Sequence, residues 1–420
     1  MVTWNLKRFF AVFLTIIISV SLAIGFFTQN INVHDKKQPL VYVGVAFQGE
    51  TVTEAKVLID KVKNYTNLFV LGASPVSRDE PATNEVCDYA IANGLDLIVN
   101  FGYNDPHASS PDDSWRRWPW QLDWLNNATE KWGDRFVGVY YDDEPAGRQL
   151  DYNWSDFFQN YLSYFQLPGD WSLKGIYNKL HEANLGMGFP VDYNLEAYYY
   201  VKDLLQENIG LNKLRDTGVT TFTSDYCLYW FDYLGGYDVI LAQFGWNHTI
   251  VQDIALAKGA ARLQNKQWGA IITWRYDEPP YLDSGEEIYN QMMQAYQAGA
   301  GYITIFNYPK LDGTEFGVLQ DEHFAALEKF WKTTIASKSG AEDSGPDVAL
   351  VLPKNYGWGM RRPDDRIWGI WGPDDKSAQI WENSRRLISE YGLRLDIVYD
   401  DPTFPTVGKY NQVYYWNDTI

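Results

Sequence analysis

Two tripeptides carry residue types that could do chemistry, Asp143-Glu144-Pro145 and Asp277-Glu278-Pro279. A pair of carboxyl groups can break an acetal bond held between them. One, protonated, gives its proton to the leaving oxygen. The other, ionised, attacks the carbon or activates a water on the opposite face. A gap of about 5 Å between the two goes with retained configuration, and roughly 6.5–9.5 Å with inversion. Asp beside Glu also brings like charges together, which raises the pKa of one of them and suits a proton donor. An acidic pair before Pro is also an ordinary loop start or helix cap. What these tripeptides can do therefore depends on the elements that place them.

Eight short β-rich runs recur along the chain: Val41–Phe47, Asn67–Ala73, Leu95–Phe101, Phe136–Asp142, Thr220–Asp225, Asp238–Phe244, Ala270–Tyr276 and Tyr302–Asn307. Each is nearly continuous in apolar residues, the pattern of a strand buried on both faces of a parallel sheet. Helical spacing marks Val52–Val62, Glu85–Ala92, Ile250–Leu263, Glu286–Ala298 and Phe324–Ile335 between them. Strand alternating with helix gives βαβ units, and eight of them predict an α/β fold, a (β/α)8 barrel. The tripeptides then end strands four and seven, across the barrel mouth from each other. Asp142 has the strand parity of Glu144 and competes with it for the pore. The longest insertion, Pro145 to Gly218, follows strand four on the same face and is rich in aromatic residues.

Other strand ends suit a polar cleft. Gln48 and Glu50 follow strand one; Asn100 and Tyr103 end strand three; Asp225 and Tyr226 end strand five. Gln243 and Trp246 end strand six, and Asn307 and Tyr308 strand eight. With Asp142, Asp143 and Asp277 they form the expected substrate-binding set. A sugar has hydroxyls at its edge and C–H-rich faces. Trp246, Trp274 and Tyr308 are the candidate platforms for such a face, though each would also serve as aromatic core. Arg275 is expected to pair with a neighbouring acid. A lesser alternative gathers Asp142, Asp225 and Asp277 around a metal ion. No metal and no cofactor is expected: five His occur without His-x-His or His-Glu-x-x-His spacing, and no phosphate loop or dinucleotide fingerprint appears.

The layout resembles the (β/α)8 glycoside hydrolases of clan A, which carry an acid/base Glu after strand four, usually in Asn-Glu-Pro, and a nucleophile Glu after strand seven. The resemblance covers Leu40 to Ile335 by architecture and the two tripeptides by motif. It implies Glu144 as acid/base and Glu278 as nucleophile, with a carbohydrate as substrate and retention as the expected outcome. It departs at Asp143, where the clan keeps an Asn that hydrogen-bonds the sugar 2-hydroxyl. An Asp cannot donate an amide proton and adds charge beside Glu144. A non-catalytic carbohydrate-binding or envelope protein on the same scaffold is the alternative.

Composition bounds the setting. A net charge of −19 over 420 residues disfavours nucleic acid as a partner. Lys7-Arg8 precede an apolar run from Phe9 to Phe27. That is a secretory signal or a membrane anchor, since about 20 apolar residues span a bilayer. Export to the cell surface or beyond follows, and the sequons at Asn64, Asn127, Asn153, Asn247 and Asn417 agree with it. Cys87 and Cys227 suit one bridge or two buried thiols. Residues 1–38 are thus the targeting segment and linker, 39–336 the barrel, and 337–346 a flexible linker. Residues 347–420 form a small flavodoxin-like α/β unit, similar to the Rossmann-like domain that follows the barrel in family 42 β-galactosidases. Its strands are expected at Val348–Leu352, Arg394–Tyr399 and Gln412–Tyr415, with a helix over Ala378–Tyr391.

Overall fold

A computed structural model describes residues 41–101, 120–154, 191–337 and 348–420. The eight runs form strands β1 (Tyr42–Phe47), β2 (Leu68–Leu71), β3 (Asp96–Phe101), β4 (Phe136–Tyr141), β5 (Thr221–Asp225), β6 (Val239–Phe244), β7 (Gln267–Ile272) and β8 (Tyr302–Phe306). They pair in parallel in chain order, and β8 closes on β1 to complete the barrel. Period-two alternation splits each strand between two apolar layers. Tyr42, Ala46, Leu68, Val70, Ile98, Tyr140, Phe222, Leu241, Ile271 and Tyr302 fill the interior as a cluster of their own. The outward residues pack beneath the helices in a larger core.

The barrel is plugged from below. Tyr42 and Tyr302 stack with ring centroids 5.2 Å apart, and Phe222 meets Tyr302 edge-on at 5.0 Å. Gly138 on β4 makes room for this plug, because a Cβ there would stand 2.6 Å from the Phe222 ring. Above the plug the side chains become polar and the barrel opens.

Strand β7 begins and ends earlier than its composition suggests. Gly269 registers with Leu241 and Tyr302, and pairing stops at Ile272. Trp274 and Tyr276 read as strand residues because aromatics favour strands. In the fold they belong to the following loop, where Trp274 packs against Tyr281 and Tyr308. This displacement carries Asp277-Glu278-Pro279 well beyond the strand end.

Strands β9 (Val348–Leu352), β10 (Leu395–Tyr399) and β11 (Gln412–Tyr415) form a second parallel sheet in the order β10-β9-β11, joined by the helix Asp375–Tyr391. The sheet was expected; its packing was not. Residues 41–420 make one compact unit. Strand β10 lies against the barrel helix Ile250–Leu263, where Gly259 approaches so closely that a Cβ would stand 2.9 Å from the Ile397 carbonyl. The buried Asp396 carboxylate takes Lys258 and Arg262 from that helix, each at 3.1 Å.

Cys87 and Cys227 are both buried free thiols. Among the described residues no helix is long and apolar enough to cross a membrane. The expected anchor at residues 9–27, the linker at 338–346, Tyr103 and most of the aromatic insertion lie outside the described residues.

Asp396→Ala leaves the buried Lys258 ammonium without its counter-charge. It is expected to cost about 3–5 kcal/mol of stability. Urea denaturation should show a lower midpoint, and an unchanged midpoint would mean that this ion pair does not hold the second sheet.

Candidate functional site

The polar mouth of the barrel encloses a cavity of about 220 Å³. That is small against the roughly 300–1,000 Å³ of drug-sized sites, and it suits one ring more than an extended chain. Its wall is divided by chemistry. Tyr140, Asp143, Glu144, Ser224 and Gln243 form a polar side at the ends of β4 to β6. Trp246, Trp274, Phe306 and Tyr308 form an aromatic side after β6, β7 and β8, with Gln48 and Asn100 on the arc between.

The acids owe their position to the backbone after β4. Asp142 and Glu144 both adopt left-handed conformations, with φ of 55° and 52°. For residues with a Cβ this costs about 1–3 kcal/mol each and persists only where surroundings enforce it. The Glu144 N–H donates to the Ser224 carbonyl at 3.0 Å, and its own carbonyl accepts from Arg148 at 2.9 Å. Pro145 then opens the helix Pro145–Asp151, the favoured place for a residue with no N–H. The buried first-turn amides of that helix, Ala146 and Gly147, which have no partner within it, donate to the buried Asp225 carboxylate at 2.7 and 2.9 Å.

Asp143 and Glu144 share one hydrogen-bonded network. Tyr140 donates its hydroxyl to Asp143 Oδ1, and the Ser224 hydroxyl donates to the same oxygen at 3.1 Å. Gln243 donates from Nε2 to Glu144 Oε1 at 2.7 Å and to Ser224 Oγ at 2.9 Å. Burial pushes the Glu144 pKa up to about 7, the Asp143 charge adds to the rise, and the Gln243 amide opposes it. Asp143 is also raised, by burial first, while its two hydroxyl donors pull it down. The proton therefore belongs on Glu144 near neutral pH and the negative charge on Asp143. The neighbouring charge contributes as the sequence suggests, yet loss of solvent is the larger cause.

On the opposite side the Trp274 ring lies nearly parallel to Tyr308, with centroids 6.2 Å apart, and its indole N–H donates to the Tyr308 carbonyl. Trp246 meets Trp274 edge-on at 5.6 Å, and Phe306 completes the wall. All three expected platforms, Trp246, Trp274 and Tyr308, line the cavity.

Of the expected binding residues, Asn100, Asp143, Gln243, Trp246, Trp274 and Tyr308 meet at the cavity with Glu144. The remainder do not, and each has a physical reason. Glu278 and Asp277 are exposed on the loop after β7 and do not line the cavity, so the two tripeptides do not face each other. Asp142 turns away and pairs with Arg148 at 2.6 Å, because its left-handed backbone breaks strand alternation. Asp225 is fully buried in its role at the helix start. Tyr226 leans over Gly147 and donates to Asp151 at 2.6 Å. Asn307 accepts from the Gln48 amide at 2.7 Å and ties β8 to β1. Glu50 is exposed beside the capping box of the first helix. Asp142, Asp225 and Asp277 thus point to three different places, and no cluster of three metal-ligating side chains occurs among the described residues. Arg275 lies 3.9 Å from Asp283, the partner expected in kind.

Sequence reasoning missed Tyr140 and Ser224. The signal was parity. Phe222 belongs to the barrel floor, so Ser224, two residues on, must face the same interior, and Asp225 must not.

No family model and no curated protein matches the chain. Solved structures share its fold. A GH5_18 variant from Streptomyces cattleya, in complex with Manb1-4GlcNAc, aligns at 13% identity with a TM-score of 0.51, covering 90% of this chain and 99% of that one. A GH5_18 from Bifidobacterium longum subsp. infantis aligns at 12% identity and the same TM-score, covering 90% and 97%. The S. cattleya protein is also known in complex with GlcNAc. The eight-stranded barrel expected of a clan A relative is the fold observed.

The Glu144 carboxyl should titrate near pH 7. Asp143→Asn removes the adjacent negative charge, so ionised Glu144 becomes easier to form and the titration moves to lower pH. Infrared difference spectra of the carboxyl stretch would follow it. An unmoved midpoint in that variant would show that the Asp143 charge does not reach Glu144.

Proposed function

We propose that the protein hydrolyses glycosidic bonds at the barrel mouth, with Glu144 giving the proton to the leaving oxygen. The observation that carries this is Glu144 itself. It is walled into the cavity beside Asp143, holds its proton to about pH 7, and faces a wall of four aromatic side chains, Trp246, Trp274, Phe306 and Tyr308. Such a proton donor works best with a pKa near the working pH. An acid wall opposite an aromatic wall suits a ring whose faces are C–H and whose edges are hydroxyls. Gln48, Asn100 and Gln243 are placed to bind those edges. The fold neighbours crystallised with Manb1-4GlcNAc and GlcNAc put both sugars among the first probes.

Export belongs to the proposal. Lys7-Arg8 before the Phe9–Phe27 run supplies the targeting pattern. The five sequon asparagines, Asn64, Asn127, Asn153, Asn247 and Asn417, are all exposed, as acceptors for a glycan must be. Expressed from its own sequence, the protein should fractionate with membranes or medium. Removal of residues 1–38 should keep it inside the cell.

One observation favours a second reading. Glu278 is exposed and away from the cavity, so the pair needed for a protein nucleophile is not assembled. A carbohydrate-binding protein without turnover would share that feature. A panel of aryl glycosides decides between them. Glu144→Gln is expected to lower kcat/KM by at least roughly 100-fold, the usual worth of a positioned proton donor. Glu278→Gln is expected to leave it within about twofold, as for most exposed surface changes. Binding of glycans with no turnover on any glycoside would establish the second reading.

A further inference from the structure

The cavity raises a question of stoichiometry. Cleavage by retention needs a nucleophile on the face of the sugar opposite the proton donor. Among the described residues lining the cavity the acids are Asp143 and Glu144, adjacent in sequence and on the same wall. Two neighbours on one wall cannot attack from opposite faces. The facing wall is Trp246, Trp274, Phe306 and Tyr308. The first three carry no nucleophile, and no carboxylate or other base among the described residues hydrogen-bonds the Tyr308 hydroxyl to activate it. Asp143 is also engaged differently from a protein nucleophile. Its Oδ1 is held by the Tyr140 and Ser224 hydroxyls, while its Oδ2 has no hydrogen-bond partner among the described residues. A second polar group waits unpartnered: Asn100 is only 6% exposed and lines the cavity, yet its side-chain amide bonds to nothing among the described residues.

We propose that the nucleophile comes with the substrate: the protein cleaves glycosides of 2-acetamido sugars, the amide oxygen attacks C1, and Asp143 Oδ2 holds the amide N–H. This rests on the hydrolase proposal above and deepens it. In the first step the amide oxygen forms a bond to C1 as the C1–O bond to the leaving group breaks. The Glu144 carboxyl hydrogen passes to the departing oxygen. An oxazolinium ring remains, its positive charge shared with the N–H beside the Asp143 carboxylate. In the second step water adds to C1, Glu144 carboxylate takes the water proton, and the C1–O bond to the amide breaks. The acetamide is restored, one water is consumed, and two inversions give retention. Back-side attack by the 2-substituent requires leaving group and acetamide on opposite faces of the ring, so the substrate is 1,2-trans. The free Asn100 amide is placed to bind a hydroxyl or the acetamide of that same ring.

The charge arrangement fits. Asp143 has two hydroxyl donors that favour its anion, and Glu144 keeps its proton in the same pH range. Had both acids been equally solvated, neither role would be fixed.

The test uses the full-length protein and p-nitrophenyl 2-acetamido-2-deoxy-β-glucopyranoside and -galactopyranoside, beside the matching 2-hydroxy glycosides. A series with mono-, di- and trifluoroacetamido groups weakens the amide oxygen stepwise without changing the leaving group. The kcat/KM is expected to fall by at least roughly 100-fold across that series, since an internal nucleophile of high effective molarity is being removed. Asp143→Asn is expected to lose roughly 10²–10³-fold on the acetamido substrate, the usual worth of one electrostatic contact to a developing charge. The fluorination series is read on the unaltered protein, so it stands even where that variant folds poorly. Cleavage of 2-hydroxy glycosides at comparable rates, or a flat fluorination series, overturns this proposal and leaves the hydrolase proposal intact. No cleavage of any glycoside in the panel overturns both.

Discussion

Three acids in a row, Asp142, Asp143 and Glu144, stand at the end of one buried strand, and the rest of the site exists to let them coexist. Like charges this close in a partly dehydrated place repel strongly. Each is quieted by a different device. Asp142 is turned away from the cavity to the Arg148 guanidinium at 2.6 Å. Asp143 is held by two hydroxyls, from Tyr140 and Ser224. Glu144 keeps its proton, helped by burial and by the charge beside it. Three devices give three distinct states: a paired anion, a hydrogen-bonded anion and a neutral acid. That differentiation, more than the presence of acids, makes the site chemically asymmetric.

Holding the three apart takes two residues in left-handed backbone, and the structure braces them heavily. The helix Pro145–Asp151 begins on Glu144 and is anchored by the buried Asp225 carboxylate. Its far end is tied to the C-terminal region. Arg361 grips Asp151 at 2.8 and 2.9 Å while its Nε donates to the buried Asp365 at 2.8 Å. Gln149 donates to the Trp368 carbonyl at 3.0 Å. The residues after the barrel therefore buttress the element that carries the acids. This gives the second sheet a structural reason to be packed on the barrel: it stiffens the loop after β4 at a distance from the cavity.

The barrel was legible because burial on both faces writes each parallel strand as an apolar run, and all eight runs were found. The ends of strands were harder, since side-chain direction there depends on single residues. Strand alternation puts Asp142 on the face of Glu144, but two positive φ values reset the alternation and bring Asp143 to the cavity instead. On β5 an acid at position 225 is the more conspicuous residue type, yet Phe222 in the floor fixes the inward parity and puts Ser224 at the cavity. On β7 the aromatic residues Trp274 and Tyr276 extended the apparent strand, and with it the expected position of Glu278. Aromatic residues that pack on one another in a loop carry the same composition as a strand, so nothing local separates the two cases. The platforms were found because Trp and Tyr just past a strand end face the mouth in either register.

The device that activates Glu144 also bears on stability. An unfolded Glu releases its proton near the ordinary value of 4.5, whereas the folded Glu144 holds it to about pH 7. Between these values the folded state binds more protons than the unfolded one, so stability from this group declines as pH rises through that window and is flat above it. Asp143, whose pKa is also raised, adds a contribution of the same sign, tempered by its donors. A purely structural rim would have no reason to keep such groups, because a Gln at 144 could still be hydrogen-bonded by Gln243 and would carry no ionisation cost. The strained backbone points the same way: a loop starting on Gly would reach the same conformation without it. A fold that keeps Glu at 144, Asp at 143 and positive φ on either side holds a proton beside a charge at some expense in stability. That expense is intelligible where the proton is delivered to a substrate.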